Sequence, residues 1–196
     1  MYVFVRFLLL VALRAVWRYR AVGVENVPLD GPLIVVCNHI SYFDPPALSC
    51  AFPRPIHYMA KQYLFTIPLF GPLIRQLYAF PVDRKRGEIG AIRRSVEVLR
   101  TGAVVGIFPE GTRNKSGTLQ PQSGVALLHY LSGAPILPAY VKGTDRWRRL
   151  SRISVAYGTP IVLATPGQKA SREDLAKWTV EIMDRVRALR ETLGGD

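Results

Sequence analysis

Residues Gly31–Pro46 read GPLIVVCNHISYFDPP, and they place a continuous apolar run immediately before a group of polar residues. The run Leu33–Cys37 is bounded by Gly31-Pro32 on one side and by Asn38-His39 on the other. A short, uninterrupted apolar run between turn residues is typical of a strand that is buried on both faces of a sheet. Because α/β proteins keep functional groups in loops at the ends of buried strands, we expect a site directly after Cys37.

The polar residues after this strand include a histidine and a carboxylate whose spacing suits general base chemistry. Asp44 follows His39 by five residues and could accept one imidazole proton through a tight loop, which leaves the other ring nitrogen to take a proton from a hydroxyl. Two other interpretations remain open from these residues alone. Asp44 precedes Pro45-Pro46 and could cap a helix that begins there, and His39 could be an ordinary turn histidine.

Three further segments have the character of strands. Ala103–Phe108 and Ile136–Val141 are apolar runs like the first one. Ile153–Tyr157 alternates apolar and small polar residues, which indicates a more peripheral strand.

Helical patterns separate and follow these strands. Apolar side chains recur at helical spacing over residues 89–99 ahead of Gly102, and Ser171 with Asp174 forms a capping-box pattern before a long amphipathic segment. The alternation predicts an α/β fold. A chain of 196 residues is long enough for one domain with a sizeable core. We expect that single domain in residues 21–196, with a mostly buried central sheet flanked by helices.

Residues 1–20 are apolar but interrupted by charge. The longest uncharged run inside them, Phe7–Leu13, is too short to cross a bilayer that needs about 20 apolar residues in a helix, and no secretory cleavage site follows. We expect a membrane-interfacial amphipathic helix. A helix packed on the core and a tilted span with snorkelling arginines are the alternatives. Helical spacing places four arginines along one side: Arg6, Arg14, Arg18 and Arg20.

The composition indicates an anionic partner. Lys and Arg number 26 against 14 acidic residues, a net charge of +12 that favours either nucleic acid or a phospholipid surface. No helix-turn-helix, zinc, RNP or KH signature is present, which argues against nucleic acid. Cys37 and Cys50 lie among apolar residues and outside any metal spacing, so we expect a reduced, cytosolic setting and neither a metal nor a tightly held cofactor.

Three more blocks could contribute to a site. Phe108–Arg113 ends a predicted strand, and its Gly111, Thr112 and Arg113 offer backbone amides, a hydroxyl and a forked cation to an anionic oxygen. The segment 78–84 ends in a second candidate cation, Arg84. The third block is apolar and more suited to lining a wall than to catalysis; it contains Pro135, Ile136, Leu137 and Pro138.

These four blocks, in this order, resemble the motifs of the glycerolipid acyltransferase family, and within it those of the bacterial 1-acylglycerol-3-phosphate acyltransferases. Asn38, His39 and Asp44 match its N-H-x4-D motif, and Phe108–Arg113 matches its F-P-E-G-T-R motif in full. The family's second motif carries a glycine and an aromatic before its arginine. Here those places hold Tyr78 and Pro81, although Arg84 is retained. The fourth motif is matched by Pro135–Pro138, and the pair Ala60-Lys61 resembles a family lysine near the acceptor phosphate.

The resemblance implies direct acyl transfer from a thioester, on acyl carrier protein or coenzyme A, to a lysophospholipid, with 1-acylglycerol-3-phosphate as the expected acceptor. His39 would be the general base and Asp44 would stabilise its imidazolium. Lys61, Arg84 and Arg113 are expected at the acceptor phosphate. Glu110 either holds its loop together or contacts the acceptor.

From residues 1–20 and the reduced setting of the cysteines, we expect a peripheral or monotopic protein at the cytoplasmic face of the cell membrane. No G-x-S-x-G nucleophile elbow is present, which agrees with transfer that avoids an acyl-enzyme. Glycerol 3-phosphate or another lysolipid as acceptor, and a non-catalytic membrane scaffold of this fold, are the alternatives.

Overall fold

The computed structural model describes residues 2–82, 87–114, 119–163 and 169–194. Its strands form one seven-stranded sheet in the order β1-β7-β6-β2-β5-β3-β4. Neighbouring strands are parallel except β6 and β7, which are antiparallel. The strands are β1 (Arg20–Val22), β2 (Leu33–Cys37), β3 (Ile56–Lys61), β4 (Phe80–Val82), β5 (Val104–Ile107), β6 (Ile136–Lys142) and β7 (Ser154–Tyr157). The helices are α1 (Tyr2–Trp17), α2 (Asp44–Cys50), α3 (Phe70–Gln76), α4 (Gly87–Arg100), α5 (Gly124–Ser132) and α6 (Arg172–Thr192).

Strand β2 lies at the centre of the sheet and is buried on both faces, as predicted. Its residues Leu33, Val35 and Cys37 belong to a core shared with α1 and α2, whereas Ile34 and Val36 belong to a core shared with α4, α5 and α6. This alternation is the strand period of two. It explains why the segment is apolar at every position: helices cover both faces.

The other predicted elements form, with one difference in placement. Strand β5 lies inside its predicted range, and β6 extends one residue beyond the prediction, to Lys142. Helix α6 begins with a capping box in which Asp174 N donates to Ser171 Oγ at 3.1 Å. Strand β7 is fully buried rather than peripheral, because the three-residue β1 pairs with its outer edge. In α4 the predicted apolar side turns inward at Ile92, Val96 and Leu99.

Helix α1 differs from the expectation of one basic side. It ends at Trp17, and Arg20 lies in β1, so the four arginines do not share one helix. Arg6 turns toward the protein, and its Nη1 donates to the Phe52 carbonyl at 2.7 Å. Leu13 is fully buried because α1 packs along α2 and the sheet.

The outward side of α1 is mostly apolar, although Arg14 is exposed as well. Its exposed large apolar side chains are Val3, Phe4, Phe7, Leu8, Val11 and Val16. Across the described residues, no helix combines the length and apolar character needed to cross a bilayer.

Candidate active site

The polar loops after β2 and β5 meet at one edge of the sheet. The two strands are parallel neighbours, with Val36 opposite Ile107. Their carboxyl ends therefore lie side by side, and His39 and Glu110 follow directly. The sheet brings together two sequence blocks that are about 70 residues apart, as His39 N donates to Glu110 Oε2 across 71 positions.

The His39 and Asp44 side chains form a hydrogen-bonded pair. His39 Nδ1 lies 2.8 Å from Asp44 Oδ2. The His39 side chain is 16% exposed, whereas that of Asp44 is fully buried. Within the described residues, the second ring nitrogen, Nε2, has no hydrogen-bond partner. A carboxylate on Nδ1 fixes the tautomer that leaves Nε2 as a proton acceptor.

The Asp44 carboxylate organises the loop before it and does not cap the helix after it. Its Oδ2 also accepts from the amides of Ile40 at 2.7 Å and Ser41 at 2.8 Å. Its Oδ1 accepts from Thr144 Oγ1 at 2.5 Å. Both oxygens are therefore engaged by groups outside α2, although Asp44 is the first residue of that helix.

Asn38 anchors the start of the same loop to β6. Its Nδ2 donates to the Val141 carbonyl at 2.9 Å, and the Val141 amide donates to its Oδ1 at 2.8 Å. The side chain thus mimics a backbone pairing partner beyond the end of β2. This two-point contact explains why an amide stands directly before the histidine, since a carboxylate lacks the donor.

Glu110 has a structural position in this site. Its Oε2 accepts from the His39 amide at 2.7 Å, and its Oε1 accepts from Asn114 Nδ2 at 3.0 Å. Asn114 in turn donates its own amide to the His39 carbonyl at 2.6 Å. Of the two roles expected for Glu110, holding the loops together is the one that these contacts display.

Aromatic rings fix the plane of the imidazole. The His39 ring stacks on Phe108 with centroids 4.3 Å apart, and Phe108 stacks on Tyr58 at 6.0 Å. Phe108 begins the F-P-E-G-T-R block, so this block supports the histidine through its ring as well as through Glu110.

Two of the three candidate phosphate-binding cations, Arg113 and Lys61, lie in the described part of the chain. Arg113 lies with its guanidinium carbon 3.7 Å from the centroid of the exposed Tyr42 ring. Lys61 ends β3 at the same edge of the sheet, and its Nζ lies 5.9 Å from the Tyr63 ring. Arg84 lies outside the described residues.

Gly111 and Thr112 form the turn between Glu110 and Arg113. Gly111 has a φ of +65°, which favours glycine, and its amide donates to the Phe108 carbonyl at 3.0 Å. The Gly111 amide therefore closes the turn, whereas the Thr112 side chain is exposed.

The apolar block at the start of β6, expected as a wall of the site, is mostly buried in the core. Ile136, Leu137 and Pro138 are buried, and the first two have no exposed surface. They lie at the amino end of β6, whereas the Asn38 contact is at Val141 near its carboxyl end. These side chains fill the core on the two faces of the sheet, and Pro135, just before the strand, is half-buried.

An aromatic cluster that the sequence did not reveal lies beside the site. Phe43 stacks on Trp147 at 5.7 Å and contacts Trp17 at 5.8 Å. Trp17 Nε1 also donates to the Trp147 carbonyl at 2.5 Å. The cluster joins the end of α1, the His39 loop and the turn Thr144–Arg149, which come from three distant parts of the chain.

The two cysteines are poorly suited to act as nucleophiles. Both are free and buried. Burial raises the pKa of Cys37 well above its usual value and that of Cys50 to about 12. Among the described residues, no three His, Cys, Asp or Glu side chains group as a metal site.

Known proteins resemble this chain in sequence over most of its length. A family model described as Acyltransferase matches residues 18–142. The chain is 31% identical over 173 residues to the 1-acyl-sn-glycerol-3-phosphate acyltransferase of Bacillus subtilis, covering 86% of each protein. It is 30% identical to the Pseudomonas aeruginosa protein of the same name, covering 89% of this chain and 72% of that one.

A solved structure has the same fold. The 1-acyl-sn-glycerophosphate (LPA) acyltransferase PlsC from Thermotoga maritima superposes with a TM-score of 0.71 at 26% identity, over 97% of this chain and 82% of that one. The matched family segment contains the His39 loop and the Glu110 loop, and it covers more than half of the chain. The chain therefore belongs to the Acyltransferase family.

Proposed function

We propose that this protein transfers a fatty acyl group from an acyl thioester to the sn-2 hydroxyl of 1-acylglycerol-3-phosphate, which gives phosphatidic acid for phospholipid synthesis. The observation that carries the proposal is the hydrogen bond between His39 and Asp44. It leaves His39 Nε2 without a partner among the described residues, at the sheet edge that also presents Lys61 and Arg113. The names of the Bacillus, Pseudomonas and Thermotoga relatives support the same acceptor.

The reaction follows from this arrangement. His39 Nε2 takes the proton of the acceptor hydroxyl, and the oxygen forms a bond to the thioester carbonyl carbon. The tetrahedral intermediate then breaks its carbon–sulfur bond, and the departing thiolate takes the proton back from the imidazolium. The products are the ester and a free thiol, and every group used belongs to this chain or to the two substrates.

Asp44 stabilises the protonated form of His39 that arises during the reaction. The buried carboxylate hydrogen-bonds to Nδ1 at 2.8 Å and therefore favours the positive imidazolium that forms during proton transfer. Its three other contacts hold it in place, so little reorganisation is needed when the charge appears.

Recognition of the acceptor rests on its phosphate. Arg113 offers a planar fork of donors that suits a phosphate monoester, and stacking on Tyr42 restricts its orientation. Lys61 adds a point charge at the same edge, and we assign Arg84 to this group from its motif position. The acyl donor is acyl-coenzyme A or acyl carrier protein that carries a fatty acyl group, and both present the same kind of thioester.

We further propose that α1 holds the enzyme on the cytoplasmic leaflet as a monotopic protein. Its outward side exposes Phe4 at 64% and Phe7 at 61%, an unusual apolar surface for a helix that packs on a domain. Exposed arginines lie near its carboxyl end, at Arg14, Arg18 and Arg20. Apolar burial with attraction of these charges to anionic lipid would place the neighbouring active site at the membrane surface.

The decisive experiment measures thiol release with 1-acylglycerol-3-phosphate and either acyl-coenzyme A or acyl carrier protein as donor. His39→Ala should lose about 10²- to 10⁴-fold in turnover, the usual contribution of a general base, and Asp44→Asn should be clearly impaired. His57→Ala is a matched control, because that histidine hydrogen-bonds to the Val104 carbonyl away from the pair. A folded His39→Ala protein with near wild-type turnover would refute the mechanism.

A further inference from the structure

A second polar site lies at the opposite end of α1 from the catalytic loop. It is a groove of about 540 Å³ between the start of α1, the loop before β3 and the end of α3. We call it the α1 groove. Tyr78, which forms one wall, contacts His57 near the amino ends of β3 and β4, whereas His39 follows the carboxyl end of β2. Its lining residues are Tyr2, Val3, Arg6, Pro53, Pro55, Arg75, Gln76 and Tyr78.

The groove contains an unsatisfied hydroxyl. The Tyr2 oxygen is buried and has no hydrogen-bond partner in the described structure. Burial raises the pKa of Tyr2, and the Arg6 guanidinium opposes this shift by its charge and by its approach to the hydroxyl, so the two side chains are neighbours in the groove. A buried hydroxyl without a partner destabilises a fold. An acceptor placed between Tyr2 and Arg6 would satisfy both.

Two guanidinium groups line the same groove without a carboxylate among its lining residues. Arg6 uses Nη1 for the Phe52 carbonyl, which leaves further N–H donors. Arg75 packs against the Phe65 ring at 5.3 Å, a face contact that leaves the edge of the guanidinium available. Two guanidinium groups that line one groove favour the binding of an anion with several oxygen atoms.

The wall of the groove is held in a strained conformation. Tyr78 has a φ of +63°, which a bulky side chain rarely adopts. In this conformation its ring meets the Tyr2 ring edge-on at 5.1 Å and the His57 ring at 5.0 Å. Strain of this kind persists where the surrounding structure fixes it, and it is concentrated at binding sites. The strained residue therefore positions the ring that carries the unsatisfied hydroxyl.

We propose that the α1 groove binds a phosphate group, as a second site separate from the site of acyl transfer. Tyr2, Arg6 and Arg75 supply donors of the kind that phosphate oxygens accept. Val3 lines the groove and belongs to the exposed apolar side of α1, so a phospholipid could place its head group in the groove and its chains along that side. Free inorganic phosphate offers the same chemistry without the chains.

The test uses calorimetry on the full chain with three probes: dihexanoyl phosphatidic acid, inorganic phosphate and dihexanoylglycerol. Wild type should bind two equivalents of the phosphatidic acid, one at each site. Arg75→Gln and Tyr2→Phe should each weaken one of the two by about tenfold, as expected for losing a donor to a charged group. Arg172→Gln, an exposed arginine of α6, is the control and should change neither.

The variants separate this site from the catalytic one. The catalytic efficiency of Arg75→Gln with 1-acylglycerol-3-phosphate should stay at the wild-type value. Activity therefore tests the acyl-transfer proposal, whereas the second binding equivalent tests the α1 groove. Tyr2→Phe should not lower the melting temperature, because it removes a hydroxyl that has no partner in the described structure and keeps the ring contact with Tyr78.

The probes distinguish the two sources of phosphate. Tighter binding of phosphatidic acid than of inorganic phosphate, with no binding of dihexanoylglycerol, identifies a lipid head group, and equal binding of the two phosphates identifies the free anion. A single equivalent in wild type, or a second equivalent that Arg75→Gln leaves unchanged, would overturn the proposal.

Discussion

Thr144 Oγ1 donates a hydrogen bond to Asp44 Oδ1 at 2.5 Å, across 100 positions of sequence, and both side chains are fully buried. The other carboxylate oxygen is occupied by His39 and by two loop amides. Thr144 therefore completes the set of donors around the carboxylate that orients the catalytic base. It also connects that carboxylate to the turn Thr144–Arg149, whose Trp147 packs near the end of α1.

We expect Thr144→Val to lower kcat about tenfold with little change in KM, because an unpaired oxygen on a buried carboxylate costs about 1.5 to 3 kcal/mol of interaction. Thr144→Ser, which keeps the hydroxyl, should restore most of the rate. Thr179→Val in α6 is the control, since Thr179 Oγ1 donates only to a helix carbonyl. Steady-state kinetics test whether Thr144 acts through the carboxylate. If its role were purely structural, Thr144→Val and Thr179→Val would lose activity to the same extent, because each would leave less folded protein.

This contact shows where prediction from the sequence stops. The apolar run of β2 and the His39 and Asp44 spacing are local features, and each predicted its structure. Thr144 carries no local signal, because its role depends on how β6 is placed beside β2 in the sheet. The same holds for β1, a three-residue strand that forms only by pairing with β7.

The distribution of the arginines has a related physical cause. Helical spacing alone groups them on one side, but packing decides which side of α1 turns inward. Leu13 is buried in the core, and Tyr19 just after the helix donates its hydroxyl to the Ala47 carbonyl at 2.8 Å. These contacts turn Arg6 toward the protein and the phenylalanines away from it.

Glu110→Gln tests the connection between the two loops. Glutamine has one acceptor oxygen, whereas Glu110 accepts from both the His39 amide and Asn114 Nδ2, so one donor would face an NH₂ group. We expect unfolding free energy to fall by about 1 to 3 kcal/mol in urea denaturation, together with a loss of kcat. Glu97→Gln, which breaks an exposed pair with Arg94, should cost less than about 0.5 kcal/mol. Equal stability of Glu110→Gln and wild type would exclude a structural role.

Arg113→Ala should narrow acceptor preference. Wild type should strongly favour 1-acylglycerol-3-phosphate over a monoacylglycerol of the same chain length, and loss of one charged donor should lower catalytic efficiency with the phosphate acceptor about tenfold or more. Use of the acyl thioester should change little. Arg172→Ala controls for loss of net charge. If wild type used both acceptors equally, Arg113 would have no role in recognising the acceptor phosphate.

The cysteines should form no acyl-enzyme. With the pKa of Cys50 at about 12, its thiolate fraction at pH 8 is lower than that of a free thiol by roughly 10³-fold. Burial raises the pKa of Cys37 in the same direction. Radiolabelled acyl donor without acceptor should leave the protein unlabelled, and Cys37→Ala and Cys50→Ala should both retain turnover. A hydroxylamine-sensitive label on the wild-type protein would contradict direct transfer.

The apolar side of α1 should govern vesicle binding more than its charge does. Removing each exposed phenylalanine forfeits about 1.5 to 3 kcal/mol of apolar burial, whereas a basic residue near the surface contributes about 1 kcal/mol on anionic lipid only. In sedimentation with vesicles, Phe4→Ser with Phe7→Ser should therefore weaken binding at least tenfold on neutral and anionic lipid alike, and Arg14→Gln should weaken it modestly on anionic lipid. Ile89→Ser controls for an exposed apolar residue elsewhere. If that control lost as much binding as the double variant, α1 would not be the docking surface.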